Sequence, residues 1–179
     1  MRRADTSLER RCHCSSFYTA PRESLYCAAE SLGFALLVPE SRDSTWDGIR
    51  YSFGPDIAFL DEALEYTFER LAVDPRRVCL AGFSDGVSHA RAVGVANGDL
   101  FTHAAVWSPG FMVVTEHVGK PRIYVSHGTE DTLLPLRQSL DRIVPTLKDR
   151  EYHVTCHEFE GGHVLPRNVM TEALDWFLG

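Results

Sequence analysis

The chain has 179 residues, of which 44% are hydrophobic and 24% are charged, and its formal net charge is −7. This length and composition are typical of one globular domain with a sizeable core. The acidic balance argues against a nucleic-acid-binding surface, which needs a basic face, and against docking on an anionic membrane. No apolar run in the sequence approaches the roughly 20 residues that a membrane-spanning helix requires.

The first segment, residues 1–21, is rich in Arg and Ser and lacks apolar periodicity. A transit peptide is one interpretation of this composition, although Asp5 and Glu9 count against it because such peptides avoid acidic residues. An irregular or disordered start is the interpretation that we favour. We therefore predict an irregular segment over residues 1–21 and one domain over residues 22–179.

The five cysteines are an odd number without regular spacing and do not predict a disulfide framework. Cys79 and Cys156 lie inside apolar, strand-like runs, so we expect both to be small core residues. Free thiols of this kind favour a reducing compartment and hence a cytoplasmic protein. Cys12-His13-Cys14 is followed by no second Cys/His pair at zinc-finger spacing, so we expect no metal site.

From Glu23 onward, helical and strand-like patterns alternate. A helix is predicted over Ser24 to Ser31, with Gly33 at its C-terminal end. The continuous apolar run from Phe34 to Val38 predicts a strand that is buried on both faces. A loop is expected over Ser41 to Pro55.

The middle and end of the chain continue this alternation. Apolar residues recur at three- and four-residue steps over residues 56–71, which predicts an amphipathic helix. Further strands are predicted to begin near Val78, Ala104, Ile123 and Tyr152, and further helices to cover residues 86–95, 136–147 and 168–178. Strands that alternate with helices of this length pair in parallel through crossover helices, so we expect an α/β fold with a mostly parallel sheet.

Gly82-Phe83-Ser84-Asp85-Gly86 has the form G-x-S-x-G and lies between a predicted strand and a predicted helix. This is the context of a nucleophile elbow, a strained turn that exposes a serine above the sheet. We expect that a side chain at either glycine would crowd the backbone of the serine. The alternative interpretation is an ordinary strand-to-helix turn with a capping serine.

A serine hydroxyl is a weak nucleophile and needs a base, which in turn needs a group that orients it. His163 follows paired glycines after the last predicted strand, and Glu130-Asp131 follows the strand at Ile123. By spacing alone, either acid fits the order serine, acid, histidine. A solvated acidic turn and a surface histidine are the alternative interpretations. We assign no proton-transfer role to His127, which is nevertheless placed to shape the site.

Through these motifs the chain resembles the α/β-hydrolase superfamily, and within it the bacterial phospholipase/carboxylesterase-like group of small serine esterases. The resemblance runs from about residue 23 to residue 179. The matching segments are Pro39–Arg42, Thr45–Asp47, Gly54–Asp56, Gly82–Gly86, Ala96–Phe101, Ser108–Phe111, Ser126–Asp131 and Gly161–His163. The resemblance implies a three-layer sandwich, a triad of Ser84, Asp131 and His163, and hydrolysis of carboxylic esters or thioesters without a cofactor.

One element of that family is missing from this sequence. Such esterases carry a central strand, before the helix that here begins near Ser24, whose His-Gly-Gly-like end donates one backbone N–H to the oxyanion hole. The other donor is the residue after the nucleophile, here Asp85. Residues 1–21 contain no glycine. We therefore expect an N-terminally truncated form of the fold that lacks the strand between those at Phe34 and Val78.

The leading hypothesis is a serine esterase or thioesterase that acts on a small-molecule substrate through an acyl-serine intermediate. Trp46, Phe83 and Phe111 are candidates for its acyl pocket, because such pockets are lined by apolar side chains. A place in the core explains each of them equally well. The alternative is a catalytically impaired or inactive homologue that binds a ligand or a partner, since losing one oxyanion donor typically lowers turnover by about 100- to 1,000-fold.

Overall fold

The computed structural model describes residues 21–41, 46, 54–84, 86–87, 94–110 and 117–179. Two compact units are present, with the boundary between Leu37 and Val38. The first unit contains helix α1, and the second contains the sheet and the other described helices. The irregular segment expected before residue 21 and Cys12-His13-Cys14 lie outside the described residues. One domain over residues 22–179 stays a prediction.

Helix α1 (Pro21–Leu32) confirms the helix that was expected over residues 24–31. Gly33 ends it with a φ of 72°, in the left-handed region that glycine adopts without steric cost. The backbone N–H groups of Gly33 and Phe34 both donate to the carbonyl oxygen of Ala29, at 2.9 and 3.2 Å. A left-handed glycine that returns the chain to the last turn is the usual way for a helix to end.

The apolar run from Phe34 to Val38 does not form the strand that was predicted for it. Its side chains alternate between half-buried and exposed, so the run is not buried on both faces. Apolar character alone does not make a strand, because the backbone also needs a hydrogen-bonding neighbour. The prediction was wrong because the sequence pattern contains no information about that neighbour.

The sheet of the second unit consists of four parallel strands. They are β1 (Cys79–Phe83), β2 (His103–Trp107), β3 (Arg122–Gly128) and β4 (Val154–Phe159), hydrogen-bonded in that order. This arrangement confirms the α/β fold with parallel pairing. Since all four strands run in one direction, their C-terminal ends lie along the same edge of the sheet, where ligand sites of such sheets gather.

Helix α3 (Leu136–Asp149) covers one face of the sheet. Side chains alternate between the two faces of a strand, and Val106 of β2 and Val125 of β3 point toward α3. There they form one core cluster with Leu147, and all three side chains are fully buried. This cluster holds the helix against the middle of the sheet.

Helix α4 (Arg167–Leu178) covers the opposite face. Trp107 of β2 and Tyr124 of β3 form a second core cluster there with Val169 of the helix. The sheet therefore lies between helices on both faces, which is the three-layer arrangement that was expected. None of the helices in the described part of the chain is long and apolar enough to cross a membrane.

Helix α2 (Pro55–Phe68) ends three residues before the end predicted from its apolar periodicity. Its buried Leu60 forms a third cluster with Phe101, against which Leu80 of β1 packs.

The helix expected over residues 86–95 is described at both ends, since residues 86–87 and 94–96 are helical, while residues 88–93 lie outside the described part.

Strand β1 hydrogen-bonds only to β2 among the described residues. Its side chains are half-buried, with Ala81 exposed, whereas all five side chains of β2 are buried. In the described sheet β1 is therefore an edge strand, and its outer backbone edge has no neighbouring strand.

The two strand cysteines differ in their environment. Cys79 of β1 packs against the second core cluster, and burial raises the pKa of its thiol to about 12. Cys156 of β4 is exposed, so the expectation of a core position was wrong for this residue. The reason is its place on the opposite edge strand, where residues 154–158 are only partly covered.

Replacing Leu147 by alanine will lower the free energy of unfolding by about 2–5 kcal/mol, because it leaves a cavity beneath α3. Leu133→Ala is the matched control, since the Leu133 side chain is 72% exposed, and its effect will stay within about 0.5 kcal/mol. Urea denaturation followed by circular dichroism measures both variants. Equal shifts of the two midpoints would contradict the assignment of the core.

Candidate active site

Ser84 occupies the turn directly after β1. Its φ of 56° lies in the left-handed region, which residues other than glycine seldom adopt. The Ser84 N–H donates to the carbonyl oxygen of Trp107 at 3.0 Å, and the N–H of Val87 donates to the carbonyl oxygen of Ser84 at 3.1 Å. These two bonds hold a conformation that by itself costs about 1–3 kcal/mol. The turn has the geometry expected of a nucleophile elbow.

The two glycines that flank this turn differ in whether they leave space for a side chain. A Cβ on Gly82 would lie 2.5 Å from the carbonyl oxygen of Gly86, a backbone atom that cannot rotate away. Among the described residues, a Cβ on Gly86 would meet Trp46 Nε1 alone, at 3.7 Å, which is ordinary van der Waals contact. Crowding is therefore confirmed for Gly82, although the backbone that is crowded belongs to Gly86 and Val87 and not to the serine, and it is wrong for Gly86.

Three polar side chains meet at the C-terminal edge of the sheet. His163 Nδ1 lies 2.7 Å from Asp131 Oδ2, and His163 Nε2 lies 2.8 Å from Ser84 Oγ. Because a carboxylate oxygen only accepts, Nδ1 carries the proton and donates to Asp131, which leaves Nε2 of the neutral imidazole to accept from the Ser84 hydroxyl. The structure thus brings together the three residues that the sequence singled out.

The environment of Asp131 favours its ionised form. The residue is buried, and its Oδ1 accepts backbone N–H bonds from Leu133 at 2.9 Å and Leu134 at 2.8 Å. Burial alone would raise the pKa of this carboxyl group, but the Leu134 N–H bond and the contacts with His163 and His127 outweigh it and hold the pKa below its usual range. Glu130, the rival acid, is exposed.

A close backbone contact joins the loops that carry Asp131 and His163. A Cβ on Gly128, the last residue of β3, would lie 2.3 and 2.4 Å from the carbonyl oxygens of Gly161 and Gly162. In addition, the N–H of Thr129 donates to Phe159 O and that of Glu130 to Gly161 O, each at 2.9 Å. The paired glycines bring His163 to the site as expected, and Gly128 is a required partner that the sequence analysis did not single out.

His127 lies directly beneath the acid. Its side chain is fully buried, and Nε2 is 2.6 Å from the carbonyl oxygen of Leu134 and 3.4 Å from Asp131 Oδ2. The sequence predicts no proton-transfer role for this histidine but places it where it can shape the site. His127 lies near the end of β3, four residues before Asp131 in the loop that follows, and this spacing was the available indication of the contact.

Of the remaining predicted site residues, two lie near the elbow or the base and two lie outside the described residues. Trp46 is half-buried and lies beside the elbow, next to Gly86. The Phe83 ring packs against the second core cluster and also lies 5.0 Å from the His163 ring, centroid to centroid. Asp85 and Phe111 lie outside the described residues. The oxyanion and pocket roles therefore stay predictions.

Comparison with known proteins identifies the fold. No protein-family model matches the chain, and no curated protein sequence does. Among solved structures, esterase PE8 is 23% identical with a TM-score of 0.59. SOBER1 of Arabidopsis thaliana is 20% identical with a TM-score of 0.56, and the carboxylesterase of Bacillus cereus is 20% identical with a TM-score of 0.54.

These alignments cover 68–69% of this chain and 57–59% of the length of those structures. At such low identity the likeness shows the fold alone, and it is the α/β-hydrolase fold that the sequence motifs implied. The site geometry is thus set in a sheet and helix arrangement that solved esterases share.

Gly82→Ala will lower the free energy of unfolding by about 1–3 kcal/mol, because the new methyl group overlaps backbone that cannot move without opening the turn. Gly86→Ala is the matched control and will change it by less than about 0.5 kcal/mol. Thermal and urea unfolding of the two variants give the comparison. If the two substitutions prove equally mild, the described turn geometry is incorrect.

The depressed pKa of Asp131 predicts a specific acid dependence. A carboxylate whose pKa is lower in the folded state contributes stability that is fully present above its unfolded pKa, about 4, and is lost as the pH falls through the folded pKa. Asp131→Asn will remove this contribution, so its stability will fall less steeply than that of the wild type below about pH 4. Urea midpoints measured from pH 6 to pH 3 test this.

Asp141→Asn, at an exposed position of α3, serves as the control for loss of one negative charge. It should leave the slope of the wild type in place. A slope reduced equally in both variants would show that the buried environment of Asp131 is not the cause.

Proposed function

We propose that this protein is a serine hydrolase that cleaves carboxylic esters or thioesters through an acyl intermediate on Ser84. The observation that carries the proposal is the continuous hydrogen-bonded chain from Ser84 Oγ through His163 to Asp131 Oδ2. Its distances are those required of a nucleophile, a base and a group that orients the base. The α/β-hydrolase fold supports it, because the three residues occupy loops at the C-terminal edge of the sheet.

In the proposed reaction, His163 Nε2 takes the hydroxyl proton as Ser84 Oγ attacks the carbonyl carbon. The imidazolium that forms is stabilised by the buried carboxylate of Asp131 and then donates its Nε2 proton to the departing alcohol or thiol. Attack by water, with His163 again as base, releases the acid and restores the serine. The backbone N–H of Asp85 is the proposed donor to the oxyanion.

The proposed substrate class is a small-molecule ester or thioester. Ser84 is half-buried and the His163 side chain is 14% exposed, so both residues are partly open to solvent. Trp46, Phe83 and Phe111 remain the proposed acyl-pocket residues, and Trp46 and Phe83 lie next to the elbow and the base. The similar solved structures include an esterase and a carboxylesterase, which fits this class.

A second candidate function is binding of an ester-like ligand or a partner with little turnover. The observation that favours it is the outer edge of β1, which has no neighbouring strand among the described residues. In the esterases that the chain resembles, the second oxyanion donor comes from a strand on that side. A site with a single donor would still react at Ser84 but turn over about 100- to 1,000-fold more slowly.

A fluorophosphonate probe tests the proposal, because it forms a stable bond with an activated serine. The wild-type protein will be labelled, and Ser84→Ala and His163→Ala will abolish labelling, since they remove the nucleophile and its base. Ser31→Ala, at an exposed serine of α1, is the control and will be labelled like the wild type. Peptide mapping of the adduct locates the modified residue.

Hydrolysis of p-nitrophenyl acetate then separates the two candidates. Labelling together with steady-state turnover supports the hydrolase, and labelling with turnover close to the uncatalysed rate supports the binding protein. A wild-type protein that is not labelled at Ser84 would refute the hydrolase proposal.

A further inference from the structure

We infer that His127 is a positioning residue, which holds the loop of Asp131 so that the carboxylate stays aimed at His163. This inference rests on the proposed hydrolase function. His127 lies in β3, where its partner in the ladder is Glu158 of β4, so its backbone is fixed by the sheet. Its side chain is fully buried beside the acid. A buried polar side chain on a rigid strand is well suited to hold a neighbouring loop in place.

His127 carries a proton on Nε2. A carbonyl oxygen only accepts, so the 2.6 Å contact with Leu134 O requires that His127 Nε2 carries a proton and donates it. His127 Nε2 also lies 3.4 Å from Asp131 Oδ2, which is too long for a good hydrogen bond but short enough for electrostatic attraction. One N–H group therefore interacts with both the loop and the acid.

The peptide groups of Leu134 contact both Asp131 and His127. Its N–H donates to Asp131 Oδ1 at 2.8 Å, while its carbonyl oxygen accepts from His127. The loop from residue 131 to residue 134 is thereby closed onto the strand through His127. Without that donor, the Leu134 carbonyl group would lose its buried partner and the loop would lose its attachment to β3.

The two oxygens of the Asp131 carboxylate have different partners. Oδ1 is held by the N–H groups of Leu133 and Leu134, and this leaves Oδ2 to accept from His163 Nδ1. The His127 N–H lies on the Oδ2 side, where a positive dipole opposes rotation of the carboxylate away from His163. His127 thus acts on the base through the acid and does not touch the reacting atoms.

A merely structural role would lower stability but leave the reactivity of the folded protein unchanged, so the test compares two amide substitutions. In His127→Gln the side-chain NH₂ extends to about the place of the imidazole Nε2, whereas in His127→Asn it stops near the place of Nδ1. The asparagine variant should therefore lose the contact with Leu134 O, and the glutamine variant should keep it. His157→Asn is the control on β4, where the histidine contacts Glu172 at 3.0 Å.

The rate of fluorophosphonate labelling at Ser84 is measured against pH on protein shown to be folded. For His127→Asn we expect a rate about 10- to 100-fold below the wild type, the usual effect of a displaced catalytic geometry. The pH profile of its labelling should also differ from that of the wild type, because Asp131 is then held loosely beside His163. His127→Gln should label within about threefold of the wild type, and His157→Asn at the wild-type rate.

The proton on His163 Nδ1 gives a readout that does not depend on reaction. Its downfield ¹H NMR signal should be present in the wild type and in His127→Gln and absent or broadened in His127→Asn. If the wild type is not labelled, the proposed function fails while this signal still decides the positioning role. If His127→Asn does not fold, His127→Phe, which has similar volume and no donor, replaces it.

Two results would overturn the inference. One is a folded His127→Asn or His127→Phe that labels at the wild-type rate with an unshifted pH profile and an intact downfield signal. The other is an equal loss in His127→Gln and His127→Asn without a change in pH profile, which would show that size and not the N–H donor is required.

Discussion

The close approach of residues 161–162 to Gly128 is the constraint on which the geometry of the site depends. Their carbonyl oxygens occupy the space that a side chain at the end of β3 would need. This contact sets the loop of the base directly over the start of the loop of the acid, and two backbone hydrogen bonds between the loops keep it there. The 2.7 Å bond between His163 and Asp131 follows from that backbone arrangement.

The same arrangement explains how a buried carboxylate is tolerated. Burial of an unpaired charge is costly, yet Asp131 has N–H donors on both oxygens, from the backbone on one side and from His163 on the other. The backbone donors belong to the short loop that His127 attaches to the sheet. The charge is therefore stabilised by groups that belong to the loops after β3 and β4.

Much of the fold was accessible from the sequence because its determinants are local. Apolar periodicity predicted α2, short strand-like runs predicted all four strands of the sheet, and the segments between and after those strands predicted α3 and α4. The need for glycine at position 82 and a strained turn at Ser84 followed from the G-x-S-x-G pattern and its strand-to-helix context. The order of serine, acid and histidine, with the family resemblance, selected the three side chains that meet in the structure.

The errors and omissions arise where the determinant is distant in sequence. Phe34 to Val38 is apolar enough for a strand, but pairing depends on a neighbour that the run itself does not contain. Cys156 was expected in the core, and its exposure depends on the position of β4 at an edge. Gly128 was not singled out, and the contacts through which His127 shapes the site were not predicted, because the atoms involved, in Gly161 and in Leu134, are identified only by the folded backbone.

The hydrogen bond between His163 and Ser84 joins residues 79 positions apart, and that between His163 and Asp131 joins residues 32 positions apart. Neither partner of the serine is therefore supplied by nearby chain, and the reactive geometry exists only after β3 and β4 have paired. During synthesis at about 5–20 residues per second, the base leaves the ribosome about 4–16 seconds after the serine. Throughout that interval the nascent chain carries an ordinary, unreactive hydroxyl group.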